Sequence, residues 1–292
     1  MNCPKDVGRR DVLKKGVFSV CSAGVGAAAA WPSTAVGDDQ ELETFPPSLS
    51  KVDRQGHEFR KMVALGESTT AGGWSSSKDR CWVPLLAGLI NDLQAEPMEF
   101  VNSGIGANVI STRSPCYPYS GKPAANERLQ KHVIDHKPDL LIISYGLNDA
   151  RGGTSIDLFT RELADLIDRV RREVQPVILL PGPYFMTDFR VGGENWSHAN
   201  LDTFLRYNEA TRKIARQQDC LFVDLLSAYR ETPWMIHYDG VHANDLGHRI
   251  VANRMFEVIA QNCSGVASKT QALERTSPRW RDESTLKADY GF

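Results

Sequence analysis

The 292-residue chain carries no excess of charge of either sign, since 34 Lys plus Arg stand against 36 Asp plus Glu. A field that would steer it onto nucleic acid or anionic lipid is therefore missing, and a neutral or weakly charged substrate fits better. Long apolar runs are missing too. The stretch from Gly16 to Ala30 is shorter than the roughly 20 residues of a membrane span, which argues against stable membrane insertion. No internal repeat is present, and no spacing among Cys81, Cys116, Cys220 and Cys263 resembles a zinc site. An oxidising destination permits one or two disulfides among these four, in three connectivities, and four buried apolar thiols are an equally open reading. What the chain does have is a hydrophobic share of 41%, enough for a sizeable core in one large domain or two small ones.

Residues 1–35 differ in composition from the rest. Arg9 and Arg10 precede Leu13 and Lys14, and an Ala-rich and Gly-rich run follows. A basic start, a weakly apolar middle and a small-residue exit describe a bacterial signal peptide, with Ser33 and Ala35 suited to cleavage after Ala35. The adjacent arginines resemble the twin-arginine signal, so the twin-arginine export machinery is the expected partner and the periplasm or the medium the destination. Val20, larger than the residue lipoprotein processing needs before Cys21, argues against a lipoprotein. Residues 36–58, acidic and containing Pro46 and Pro47, read as a linker. Residues 59–263 read as the folded domain, and 264–292, with Lys269, Glu274, Arg275, Arg279 and Arg281, as a polar flexible tail.

Within 59–263, short apolar runs alternate with segments of helical period. The runs are Met62 to Leu65, Phe100 to Val101, Leu140 to Ile143, Val177 to Leu180 and Leu221 to Val223. Between them Phe159, Leu163, Leu166, Ile167 and Val170 recur at spacings of three and four, as do Ile250, Val251, Met255 and Ile259 later, so each segment has one face to bury. This predicts an α/β domain, a three-layer α/β/α sandwich around a five-stranded parallel sheet. Ligands of such sheets gather outside the carboxyl ends of the strands.

Chemistry-bearing motifs fall where that rule predicts. The first strand runs into Gly66-Glu67-Ser68-Thr69-Thr70-Ala71-Gly72, so the hydroxyl and N–H of Ser68 can both face a cleft. The third ends in Ser144-Tyr145-Gly146-Leu147-Asn148-Asp149, where the Asn148 amide can donate to a developing oxyanion without needing a counterion. Near the carboxyl end comes His237-Tyr238-Asp239-Gly240-Val241-His242. A carboxylate three positions before a histidine can accept its Nδ1–H and leave Nε2 free as a base. Each motif alone is weak, because Gly, Ser, Asn and Asp are common in ordinary turns.

Together and in this order, the motifs resemble the SGNH or GDSL-like serine hydrolases over about Arg60 to Asn262. The resemblance implies an SGNH hydrolase-like fold of flavodoxin-like topology and an esterase or lipase needing no metal or organic cofactor. It makes Ser68 the nucleophile, His242 the general base and Asp239 its orienting partner. The oxyanion hole it implies is formed by the Ser68 N–H, the Asn148 amide and a backbone N–H of the middle box. That box reads Val101-Asn102-Ser103-Gly104-Ile105-Gly106-Ala107-Asn108, and counting from Asn102 puts Ala107 where relatives carry glycine, with Gly106 the second choice. Glu67 stands where the family usually has Asp, a structural position beside the nucleophile.

Trp74, Tyr117, Tyr119 and Arg151 follow strand ends, in segments read as loops, and are candidates to line the cleft and touch substrate. The signal segment, the lack of an apolar lid and the polar loop from Ser111 to Lys122 predict a short acyl ester, acetyl above all, on a carbohydrate or similarly polar alcohol. A lipase or phospholipase acting on longer chains is the alternative. A metal-dependent hydrolase using His237, Asp239, His242 and Asp149 is a rival that leaves the Ser68 motif unexplained. A catalytically silent binding module is a second, opposed by the complete set of Ser68, Asn148, Asp239 and His242. A histidine base predicts activity rising with pH through a midpoint within about a unit or two of 6.5, pushed upward by Asp239.

Overall fold

The computed structural model describes residues 52–277 and 281–291. The segment read as a signal peptide, with Arg9, Arg10 and Cys21, and most of the segment read as a linker lie outside the described residues. The five apolar runs form β1 (Lys61–Gly66), β2 (Glu99–Gly104), β3 (Leu140–Ser144), β4 (Val177–Pro181) and β5 (Leu221–Val223). All pair in parallel, in the order β2-β1-β3-β4-β5. Met62 to Leu65 and Leu140 to Ile143 are buried along their length. Inner strands with helices on both faces have no wet side, so their sequences read as continuous apolar runs rather than alternations.

The helices are α1 (Ser68–Ala71), α2 (Trp82–Asn91), α3 (Tyr117–Ser120), α4 (Ala125–His132), α5 (Leu147–Arg151), α6 (Ile156–Arg171), α7 (Leu201–Gln217), α8 (Leu225–Tyr229), α9 (Asp245–Asn262), α10 (Ser268–Thr276) and α11 (Ser284–Tyr290). Crossover handedness sorts them into layers. The step from β1 to β2 runs toward one edge of the sheet and the later steps run toward the other, so right-handed crossovers put α2 on one face and α4, α6 and α7 on the opposite one. Helix α9 packs beside α2, and α6 lies between α4 and α7. The α/β/α sandwich expected from the sequence is thus the observed fold. Helix α6 buries Phe159, Leu163, Leu166, Ile167 and Val170, the stripe its periodicity predicts. It starts at Ser155, whose Oγ accepts the Leu158 N–H at 3.3 Å.

All four cysteines among the described residues are buried and free. Burial pushes the thiols up, Cys116 and Cys263 to about 12 and Cys220 to about 11, so they serve as apolar fill rather than as nucleophiles.

The edges of the domain differ from the boundaries read at 59 and 263. The Arg54 N–H donates to Asn262 O at 2.8 Å, Gly265 N–H to Gln55 O at 2.9 Å and Ser264 N–H to Asp53 at 2.9 Å. Glu58 accepts from the Ala95 N–H at 2.9 Å and from the Ser268 hydroxyl at 2.5 Å, and Val266 is buried. What reads as the end of a linker and the start of a flexible tail is therefore a paired seam continuing into α10. Its partners are polar, and hydropathy does not register polar pairing.

Candidate active site

Ser68 is the first residue of α1, directly beyond β1, and only 7% of its surface is exposed. Helix α1 sits close against β2, because the strand ends in Gly104, where any Cβ would collide with the backbone of Thr70 and Ala71. His242 comes from the loop between α8 and α9. Two backbone bonds clip that loop at its base, His237 N–H to His242 O at 2.8 Å and Asn244 N–H to Met235 O at 3.1 Å. At its tip Gly240 has φ 78°, and its carbonyl accepts from the Thr187 and Asp188 N–H groups at 2.8 and 3.0 Å. A Cβ there would lie 2.6 Å from that of Asp188, so both the dihedral and the space call for glycine. The result is one continuous line: Ser68 Oγ is 2.9 Å from His242 Nε2, and His242 Nδ1 is 2.5 Å from Asp239 Oδ2. The other carboxylate oxygen accepts the N–H groups of Val241 and His242, each at 3.0 Å, so Asp239 holds both the ring and the loop that carries it.

Burial works against the charge on Asp239, but the hydrogen bonds from the His242 ring and from the His242 and Val241 N–H groups outweigh it and hold the carboxyl below its ordinary range. An ionised Asp239 assigns the ring proton to Nδ1 and leaves the Nε2 lone pair toward Ser68. For His242 itself burial is the largest influence and pushes it below the ordinary 6.5 despite the pull of Asp239. The upward push of Asp239 anticipated from the sequence is present, but burial outweighs it. Trp74 covers one face of the ring, its indole lying flat on the imidazole with centroids 3.6 Å apart and planes at 9°. Only the neutral ring can accept a proton from Ser68, so lowering the pKa extends the active form toward acid. A profile of kcat/KM against pH should rise through a midpoint below 6.5 and stay level across neutrality, and a midpoint above 6.5 would contradict this electrostatic reading.

Glu67 ties this edge to α5. Its buried carboxyl group accepts the Leu147 and Asn148 N–H groups at 3.1 and 2.9 Å, while burial first and Asp149 second push it well above its usual range. The Asn148 Nδ2 donates to Asn108 O at 3.2 Å, which leaves its second hydrogen for an acceptor in the cleft. Asn108 is wholly buried. Its Oδ1 accepts from the Tyr145 hydroxyl at 2.5 Å and Arg128 at 3.2 Å, and its Nδ2 donates to Pro123 O at 2.8 Å. Asp149, raised to about 6 by burial, accepts from Ile110 N–H, Ser114 Oγ and Thr154 Oγ1 at 3.1, 2.8 and 3.2 Å. The loop after β2 is therefore anchored to α5 through Asn108, Ile110 and Ser114. In that loop Ala107 holds φ 52°, a left-handed conformation that costs an L-residue about 1 kcal/mol. The Gly106 carbonyl accepts from Lys122 Nζ at 2.9 Å, and in a trans peptide the Ala107 N–H points the opposite way. A Cβ on Gly106 would stand 4.0 Å from Ser68 Cβ, so the loop passes beside Ser68.

Of the four residues proposed to touch substrate, the structure brings Trp74 onto His242. Arg151 is in α5 rather than a loop and is buried, its guanidinium donating to Val191 O and, at 3.4 Å, to Asn148 Oδ1. Tyr117 opens α3, packs on Val109, Cys116 and Ala124, and turns its hydroxyl to Glu127 at 2.9 Å rather than onto the Ser68 group. Tyr119 is exposed on the same short helix. The ligand set of the metal rival does not gather either: Asp149 is committed to Ile110, Ser114 and Thr154, and among the described residues no three His, Cys, Asp or Glu side chains converge as a metal site requires. Sequence reasoning missed the roles of Asn108 and Lys122. A signal for Asn108 was a lone amide entering the apolar pair Val109-Ile110.

The sequence pattern describing the GDSL-like lipase/acylhydrolase family matches residues 64–250 of the chain. An acetylxylan esterase of Geobacillus stearothermophilus is 26% identical over 219 residues, covering 68% of this chain and 93% of that protein. The uncharacterized lipoprotein YqeF of Bacillus subtilis is 21% identical over 194 residues, 58% of this chain and 72% of the relative. The crystal structure of an acetylxylan esterase from Geobacillus stearothermophilus superposes with a TM-score of 0.54 at 22% identity, covering 70% of this chain and 95% of that one.

Proposed function

Because the chain belongs to the GDSL-like lipase/acylhydrolase family and is a carboxylic ester hydrolase, we propose that it is an exported serine esterase removing short acyl groups, acetyl above all, from carbohydrates or similarly polar alcohols. The observation that carries this reading is the line from Asp239 through His242 to Ser68, with contacts of 2.5 and 2.9 Å. Ser68 Oγ attacks the ester carbonyl as its proton passes to His242 Nε2, and Asp239 stabilises the imidazolium. The N–H groups of Ser68 and Ala107 and the free hydrogen of the Asn148 amide hold the tetrahedral oxyanion. Ala107 is assigned over Gly106 because its peptide is oriented by Lys122 and its positive φ reproduces a glycine-like turn. Collapse sends the His242 proton to the leaving alkoxide, and His242 then activates water to release the acyl group. No cofactor enters any step.

The acyl and alcohol classes rest on similarity to the acetylxylan esterase and on the sequence's lack of an apolar lid. Export rests on Arg9, Arg10 and the apolar run after them, and similarity to a lipoprotein is compatible with it. The test is kcat/KM across nitrophenyl esters from acetyl to decanoyl, with acetate release from acetylated xylan and pectin. Each methylene that a pocket accepts or rejects changes the barrier by roughly 1 to 3 kcal/mol, so preference should fall steeply beyond the shortest esters. A rise toward octanoyl or decanoyl, with no acetate from either polymer, would replace this reading with a lipase or phospholipase.

A further inference from the structure

In the proposed mechanism His242 hands its proton to the departing alkoxide, so the alcohol lies over His242 while the acyl oxygen faces Asn148 and Ala107. Whatever surrounds His242 therefore meets the alcohol. Three aromatic rings run outward from His242 in series. Trp74 stacks on the His242 ring at 3.6 Å, His237 stands edge-on to Trp74 with centroids 6.2 Å apart, and Tyr238 lies 4.0 Å from His237. Trp74 is 46% exposed and Tyr238 94%, with the less exposed His237 bridging them. A tyrosine with nearly all of its surface in water contributes almost nothing to the core. Trp74 holds φ 69°, a left-handed conformation unfavourable for a bulky residue and a recurrent mark of functional positions. Both supports are fixed: the segment after Trp74 is tied to α9 by Ser76, whose N–H and Oγ bind Asp245 at 2.7 and 2.6 Å, and His237 N–H binds His242 O.

We propose that Trp74, His237 and Tyr238 form an alcohol-side subsite that stacks against the sugar rings flanking the acylated one. This inference rests on the carbohydrate-esterase reading above. Pyranose rings present flat C–H faces, and an aromatic face, electron-rich at its centre, attracts those polarised hydrogens while both surfaces shed water. The strip thus takes a neutral carbohydrate chain on the side where the reaction places the alcohol.

The experiment compares acetate release from acetylated xylo-oligosaccharides and from ethyl acetate, whose alcohol ends before the strip, in the full-length enzyme and its Tyr238→Ala and Tyr238→Phe variants. Tyr238→Ala should lower the oligosaccharide-to-ethyl-acetate ratio of kcat/KM about tenfold, through a higher KM for the oligosaccharide, and Tyr238→Phe should keep it. A wild-type enzyme that deacetylates the oligosaccharides, with a ratio unmoved in Tyr238→Ala, overturns the subsite alone. A wild-type enzyme that hydrolyses ethyl acetate and releases no acetate from any carbohydrate overturns the carbohydrate reading and the subsite with it.

Discussion

Replacing Ser68 by Ala should lower turnover of a simple acetate ester by about 10⁶-fold, the scale seen when a serine hydrolase loses its nucleophile. Stability should barely change. Among the described residues the Ser68 hydroxyl bonds only to His242, at 2.9 Å, and removing it leaves a small void beside a ring still held by Asp239. Initial rates with 4-nitrophenyl acetate, together with a thermal unfolding curve, separate the two outcomes. Loss of activity with an unchanged Tm is expected. Retention of more than a trace would assign the attack to another group.

Asp239→Asn should cost about 10⁴-fold in turnover, on the pattern of serine triads whose aspartate becomes an amide. The reason lies in the two jobs of its carboxylate. An amide oxygen in the place of Oδ1 can still accept the Val241 and His242 N–H groups, so the loop should keep its shape. The amide nitrogen then faces His242 Nδ1 as a donor, which forces the ring proton to Nε2 and turns the base into a donor toward Ser68. Turnover measured at pH 8, where the imidazole is neutral in either case, checks this directly. A loss below about tenfold would mean that Asp239 orients nothing that matters to the reaction.

The residues that proved readable in sequence are those whose signal is local. The strands announced themselves because Met62 to Leu65 and Leu140 to Ile143 are buried on both faces, and Ser68, Asn148, Asp239 and His242 each stand in a short motif beside a strand end or a turn. Their convergence, across 174 positions between Ser68 and His242, comes only with the sheet order. The upward pull of Asp239 on His242 is legible because the two are neighbours in sequence, whereas burial, which outweighs it, is a property of the folded site. Arg151 read as a loop residue because turn-forming Asn148 and Asp149 precede it. Glu67, distant in sequence, binds the first N–H groups of α5 and makes that turn the start of a helix. The seam joining Asp53, Gln55 and Glu58 to residues 264–268 escaped for the same reason, being a set of long-range polar bonds with no apolar period.

Treating the wild-type enzyme with a fluorophosphonate and mapping the modified peptide by mass spectrometry decides whether a base-activated Ser68 performs the chemistry. Phosphonylation needs an activated hydroxyl and donors placed for the oxyanion-like oxygen of the adduct. A single adduct on Ser68 is expected, with loss of ester hydrolysis in proportion to it and activity that survives a chelator. An enzyme that keeps hydrolysing esters at saturating probe with Ser68 unmodified, or that loses its activity to the chelator instead, would contradict that role of Ser68.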